Sequence, residues 1–316
     1  MKGTEEIAVG ADRITGMLQT ALGEAAGQYL LDEKVIEIML NPDGKLWIEK
    51  LGEGRQFTGH KLSPADAERV IFIVASSIKA SCSKEEPLLS AELPGSGARF
   101  QGTLPPVVEN PCFTIRKKAL KIFSLRDYVE QGILSENGLE VLKRAVKAKS
   151  NILIVGGTGS GKTTLANAIL DEIAATGDRV VIIEDTKELQ CSAPDMVSLR
   201  TREDLVSMTD LIRATMRLRP DRIVIGEVRG REALDLLKAW NTGHPGGCAT
   251  VHADSASKGL SRLEQLVAEA GAFECKQLIA EAVNLVIYIE KAKEGRRVEE
   301  MISVSWGDND YILEKI

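Results

Sequence analysis

Nine consecutive residues, Gly156-Gly157-Thr158-Gly159-Ser160-Gly161-Lys162-Thr163-Thr164, have the types and order needed to hold a polyphosphate. Glycines let successive backbone N–H groups curl around a pyrophosphate, and a helix starting behind them adds the positive end of its dipole. In such a loop Lys162 reaches the β- and γ-phosphates, and the Thr163 hydroxyl ligates Mg²⁺. The flanks suit the motif. The apolar run 151–155 reads as a strand, and Leu165, Ala168, Ile169 and Ile173 fall at helical spacing behind the loop. A Gly-rich turn between strand and helix is the context this loop requires, so the sequence predicts binding of a nucleoside triphosphate.

Three further clusters fall at the carboxyl ends of predicted strands, where open α/β sheets place their ligands. The first, Glu184-Asp185-Thr186-Lys187-Glu188, offers three carboxylates for water activation or for Mg²⁺. The alternative is a solvated acidic loop. The second, 222–230, is an apolar strand ending in Gly226-Glu227, followed by Arg229. It resembles a Walker B strand in which Gly226 replaces the usual terminal Asp. Glu227 would polarise water or hold the metal through water; otherwise it is a buried Glu paired with Arg229. The third spans Thr242 to Asp254 and contains His244 and His252. A metal site fails there for want of a third or fourth soft ligand. A histidine at the strand end could instead sense the γ-phosphate, with a plain core residue the simpler reading of His244.

The elements that must position these residues fall into two sets. Residues 13–120 read as a smaller α+β domain. It comprises a helix over 14–31, a hairpin of 35–40 and 45–49 around Asn41-Pro42-Asp43-Gly44, a helix capped at Ser63, and strands at 98–103 and 112–116. A connector is expected over 121–137. From 138 to 316, strands at 151–155, 179–184, 222–226, 247–251 and 284–290 alternate with helices at 162–175, 203–218, 231–241 and 255–270. That alternation predicts an α/β fold with a parallel sheet covered on both faces.

Composition sets outer bounds. The 316 residues are 44% hydrophobic and 27% charged, enough for a sizeable core, and the net charge of −6 does not suit a protein built to coat nucleic acid. The first six residues lack the apolar core of a secretory signal, and the longest apolar run, 70–75, is too short to span a bilayer. Five scattered cysteines read as reduced thiols.

The ordered set of phosphate loop, Ile183-Glu184-Asp185-Thr186, Arg222–Gly230 and Thr242–His252 is similar to the type II/type IV secretion ATPase superfamily. Within it, the run from Ala233 to Gly247 looks like the conjugal-transfer, VirB-type branch. The resemblance implies a RecA-like P-loop ATPase domain behind a smaller α+β domain, and a homohexamer hydrolysing ATP with Mg²⁺. It implies a cytoplasmic protein, peripheral on the inner face of the inner membrane. There it would work with secretion-channel and pilus-assembly proteins, and no sequence-specific nucleic acid is expected as a partner. Residue by residue, it makes Glu188 the general base and Glu227 the Walker B acid. His252 becomes the γ-phosphate sensor, with Thr163, Glu184 and Asp185 around the metal. Arg99 and Arg116 match arginines that relatives place near the phosphates. A pilus-retraction motor, a DNA translocase or helicase, and a small-molecule phosphotransferase are the competing readings.

Overall fold

Two sheets organise the chain in this computed structural model, which describes residues 14–118, 122–202, 204–292 and 295–316. The chain divides into the units Met1–Leu120 and Lys121–Ile316. The expected domain edges at residue 13 and at 120–121 lie outside the described residues.

In the first unit α1 runs through 14–22, and Gly23, at φ 81°, breaks it from α2 (Glu24–Gly27), so the helix expected over 14–31 is interrupted. The strands β1 (Val35–Leu40), β2 (Lys45–Lys50), β3 (Gly54–Lys61), β4 (Leu88–Glu92), β5 (Arg99–Thr103) and β6 (Cys112–Arg116) form an antiparallel sheet in the order β3-β2-β1-β6-β5-β4. Helix α3 (Pro64–Ser77) starts where Ser63 Oγ accepts the Asp66 N–H, and it packs Val70, Ile71 and Val74 over this sheet. Strands β3 and β4 are not expected from the sequence pattern. Both are sheet neighbours to one strand only, and β3 alternates between half-buried and exposed positions along its whole length.

The second unit begins with α4 (Leu125–Glu130), inside the stretch expected to be a connector, and α5 (Glu136–Lys147). A Ser124–Asp127 capping box starts α4. Then follow β7 (Ile152–Val155), α6 (Lys162–Ala174), β8 (Val180–Glu184), β9 (Met196–Arg200), α7 (Met208–Thr215), β10 (Arg222–Ile225), α8 (Glu232–Asn241) and β11 (Cys248–Val251). The chain ends with α9 (Ala256–Glu269), α10 (Lys276–Ala282), β12 (Leu285–Ala292), β13 (Gly295–Gly307) and β14 (Asp310–Lys315). The helix expected over 203–218 shortens to α7 because a Ser207–Asp210 capping box sets its start.

The sheet order is β14-β13-β12-β7-β11-β10-β8-β9, parallel from β12 to β9 with β13 and β14 antiparallel at one edge. Alternate residues of β7 point to opposite faces. Leu153 and Val155 join the core built with α7 to α10, and Ile152 and Ile154 join the one built with α4 to α6. Every position of β7, β8, β10 and β11 is buried. Each large apolar side chain so enclosed contributes roughly 1.5–3 kcal/mol. That is why these four strands read as continuous apolar runs.

Polar bonds tie the amino ends of the strands. Asn151 Oδ1 accepts the N–H groups of Gly246 and Gly247, and its Nδ2 donates to Ala282 O. Arg222 is 1% exposed; it donates to Asp178 Oδ2 at 2.7 Å, Gly246 O at 3.0 Å and Val146 O at 2.9 Å. Lys149 Nζ holds the other Asp178 oxygen at 2.9 Å. Burial works against the Asp178 charge, but hydrogen bonds from Lys149, Arg222 and Thr176 outweigh it and hold the pKa at about 2. The unfolded chain therefore binds the more protons between about pH 4 and 2. This stabilisation is complete above that window and is lost as pH falls through it. Asp178→Asn should cost about 3–5 kcal/mol at neutral pH by leaving the Arg222 charge uncompensated. Urea unfolding from pH 5 to 2 should show a shallower decline for the variant than for the wild type. Wild-type stability in the variant would contradict the buried pair.

Candidate active site

The phosphate loop joins β7 to α6 through residues 156–161. Gly159 and Gly161 sit in the left-handed region, at φ 71° and 100°, and Gly161 is the N-cap of α6 with no side chain capping it. The first N–H groups of the helix therefore face the loop without a side-chain acceptor, as an anion site needs. Ser160 Oγ is also buried there, with no hydrogen-bond partner among the described residues. Lys162, 7% exposed, donates from Nζ to Gly156 O and Gly157 O, each at 2.9 Å. Gly157, Thr158 and Thr164 complete the loop and the first turn of α6.

From Lys162 a chain of charges leads across the carboxyl ends of the neighbouring strands. Its Nζ lies 3.3 Å from His252 Nδ1 and 3.4 Å from Nε2. His252 Nε2 lies 2.8 Å from Glu227 Oε1, and Arg229 Nη2 donates to Glu227 Oε2 at 2.6 Å. Arg229 Nη1 then stands 3.7 Å from Asp185 Oδ2. Burial and the Lys162 ammonium push the His252 imidazole below its ordinary value, against the pull of Glu227. Near neutral pH the ring is therefore uncharged, and it lies beside Glu227 Oε1 without a hydrogen bond to it. Burial alone would raise the Glu227 carboxyl. Arg229, His252 and Lys162 together reverse this and keep it ionised below its usual range.

A second set of contacts shapes the loop after β8. Glu184, 3% exposed, accepts the N–H groups of Glu188 and Leu189 on Oε2 at 2.7 and 2.9 Å. Thr163 Oγ1 donates to Glu188 Oε2 at 3.4 Å. Thr201 Oγ1 donates to Asp185 Oδ1 at 2.9 Å. So the three carboxylates differ in placement: Glu184 holds the loop from below, Asp185 faces Thr201 and Arg229, and Glu188 stands against Thr163. Hard oxygen donors beside a phosphate loop suit Mg²⁺, and Thr163 with Glu188 supplies them. The missing Walker B aspartate also has a steric reason. A β-carbon on Gly226 would lie 3.0 Å from Glu184 Cβ, so the glycine makes room for the buried glutamate.

His244 precedes β11 and His252 follows it, so the two lie at opposite ends of one strand. Arg99 and Arg116 lie in the first unit, opposite each other on β5 and β6, with Arg116 Nε 3.5 Å from Glu37 Oε1. Two further residues escaped the sequence reading. Asn167, 3% exposed, accepts the Gln190 N–H at 2.8 Å and donates to Glu188 O at 3.3 Å, tying α6 to the carboxylate loop. Thr250 Oγ1 donates to Gly226 O at 2.7 Å. The one available signal was an amide interrupting the apolar run 165–170.

A parallel sheet with this loop at its centre, and carboxylates and a histidine at the strand ends, defines a P-loop ATPase of RecA-like fold. The chain belongs to the type II/IV secretion system protein family, whose profile matches residues 85–298. It is 51% identical over 294 residues to a probable conjugal transfer protein TrbB of Sinorhizobium fredii, covering 92% of this chain and 90% of that protein. To the conjugal transfer protein TrbB of Rhizobium radiobacter it is 50% identical over 301 residues, covering 95% and 93%. Among solved structures it is similar to the VirB11 ATPase of the Brucella suis type IV secretion system, in complex with sulphate. That similarity has a TM-score of 0.50 and 27% identity, covering 93% of this chain and 96% of that one. Among the described residues no helix is long and apolar enough to cross a membrane.

Asn167→Ala should remove two bonds to the carboxylate loop and lower the unfolding free energy by about 1–3 kcal/mol. Chemical denaturation checks this; wild-type stability would mean that water replaces the amide without loss.

Proposed function

We propose that the chain hydrolyses Mg-ATP as a homohexamer and that this drives a conjugative type IV secretion system. The observation that carries the reading is the convergence of Lys162, His252, Glu227, Arg229 and the Glu188 loop around one phosphate loop at the sheet's carboxyl end. The similarity to TrbB conjugal transfer proteins and to a VirB11 ATPase of a type IV secretion system supports the cellular role. The proposal places the protein in the cytoplasm, at the inner face of the inner membrane, beside secretion-channel and pilus-assembly proteins.

The residues divide the chemistry among them. Loop N–H groups and Lys162 bind and neutralise the phosphates. Mg²⁺, when bound, would screen the phosphate oxygens, held by Thr163 with the carboxylates of Glu184, Asp185 and Glu188 around it. Glu188, standing against Thr163, takes the proton from the attacking water. Glu227 is less suited to that task, because Arg229 donates to its Oε2 and His252 stands 2.8 Å from its Oε1. It instead orients His252, whose neutral ring reports on the terminal phosphate. For Arg99 and Arg116 the proposal is that their charge serves the phosphates during turnover.

Lys162→Ala should abolish phosphate release. Glu188→Gln should retain nucleotide binding and slow hydrolysis by about two to four orders of magnitude. That loss in Glu227→Gln, with Glu188→Gln near wild type, would exchange the two roles. Arg116→Ala should lower turnover with the fold intact, and unchanged kinetics would remove it from the mechanism. The mass of the purified protein with and without Mg-ATP tests the ring directly: a hexamer supports it, and a monomer under both conditions contradicts it.

A further inference from the structure

The phosphate loop has two flanks, and only one carries the residues assigned above. In the sheet order, β11, β10 and β8 lie on one side of β7, and β12 and β13 on the other. From that second flank Arg296, opposite Lys291 in the β12–β13 ladder, reaches the loop. A β-carbon on Gly161 would stand 2.7 Å from Arg296 Cδ and 3.0 Å from its Nε. The arginine stem thus lies on the N-cap residue of α6, and the absence of a side chain at Gly161 is what admits it.

Among the described residues nothing nearby answers its charge. Arg296 Nε is buried without a hydrogen-bond partner, and no carboxylate of the described residues pairs with the guanidinium. Tyr128 on α4 is close enough to feel it. Burial nevertheless pushes that phenol above its ordinary value against the pull of Arg296, so it supplies no anion. The strand is also held in place, since Val298 N–H donates to Ile133 O in the α4–α5 turn. A guanidinium whose Nε is buried without a partner carries a cost that an anion docked at the helix N-terminus would relieve.

We propose that Arg296 is a nucleotide-contacting residue that binds the non-terminal phosphates. This rests on the reading of the loop as a nucleotide site. The terminal phosphate belongs to the flank of Lys162, His252 and Glu188. Arg296 arrives from the opposite flank and so serves the phosphates that ADP and ATP share. The planar fork of an arginine suits bidentate phosphate contact better than a lysine does. Its contribution is to affinity for both nucleotides alike, not to discrimination between them.

The test is equilibrium titration of MgADP and of Mg-AMPPNP, a non-hydrolysable triphosphate, into the full chain. Arg296→Met retains a long apolar stem over Gly161 and removes the charge; Arg296→Lys retains charge without the fork. The Met variant should raise the Kd of both nucleotides by the same factor, about 10- to 100-fold, and the Lys variant should recover part of the loss. Unfolding midpoints without nucleotide show whether each variant folds, and the Lys variant alone decides the matter if the Met variant does not. Wild-type affinity in both variants, or a loss confined to the triphosphate, overturns the assignment. Failure of the wild type to bind either nucleotide overturns the nucleotide site itself, and the assignment with it.

Discussion

A nearly buried ammonium governs this molecule. Removing the Lys162 charge from water is costly unless oxygens and counter-charges replace the lost hydration. Here two loop carbonyls do part of that work, and the His252–Glu227 pair lies directly behind. The arrangement is satisfied further when a polyphosphate enters, since the same loop presents helix N–H groups that no side chain caps. The electrostatics follow from it. Lys162 helps keep His252 uncharged and Glu227 ionised, and Arg229 carries the charge pattern on to Asp185.

The rest of the second unit keeps those groups in register. Parallel strands buried on both faces allow little movement, so their carboxyl ends are fixed points from which the functional loops extend. The amino ends are tied by buried polar networks around Asn151 and Arg222, which cross-link α5, β10 and the turn before β11. Chemistry occupies one end of the sheet and polar structural bonds the other. Cys248, at the amino end of β11, is inert: burial pushes its thiol up to about 12.

How much of this the sequence discloses depends on how strongly each residue's surroundings constrain its type. The four central strands and the phosphate loop are legible because full burial and phosphate contact each demand particular residues. Edge strands β3, β4, β9 and β14 are not, since exposed positions accept almost any side chain and blur the alternation. The acidic run 184–188 announces carboxylates but cannot say which is buried. That is decided by Gly226 just past the end of the adjacent strand, where a missing side chain leaves room for the buried Glu184. Asn167 shows the same limit. Its partners, Glu188 and Gln190, are more than twenty residues away, and nothing local marks the amide as the link between helix and loop.

These features describe an enzyme whose sheet fixes a phosphate site, in a family devoted to secretion, with a net charge of −6 that offers no general attraction for nucleic acid. The central claim is nucleotide hydrolysis independent of DNA, and the most direct measurement is phosphate release from Mg-ATP with and without added DNA. The account predicts saturable, Mg²⁺-dependent release that DNA leaves unchanged. Turnover that appears only with DNA, or rises steeply with it, would contradict that account and identify a translocase.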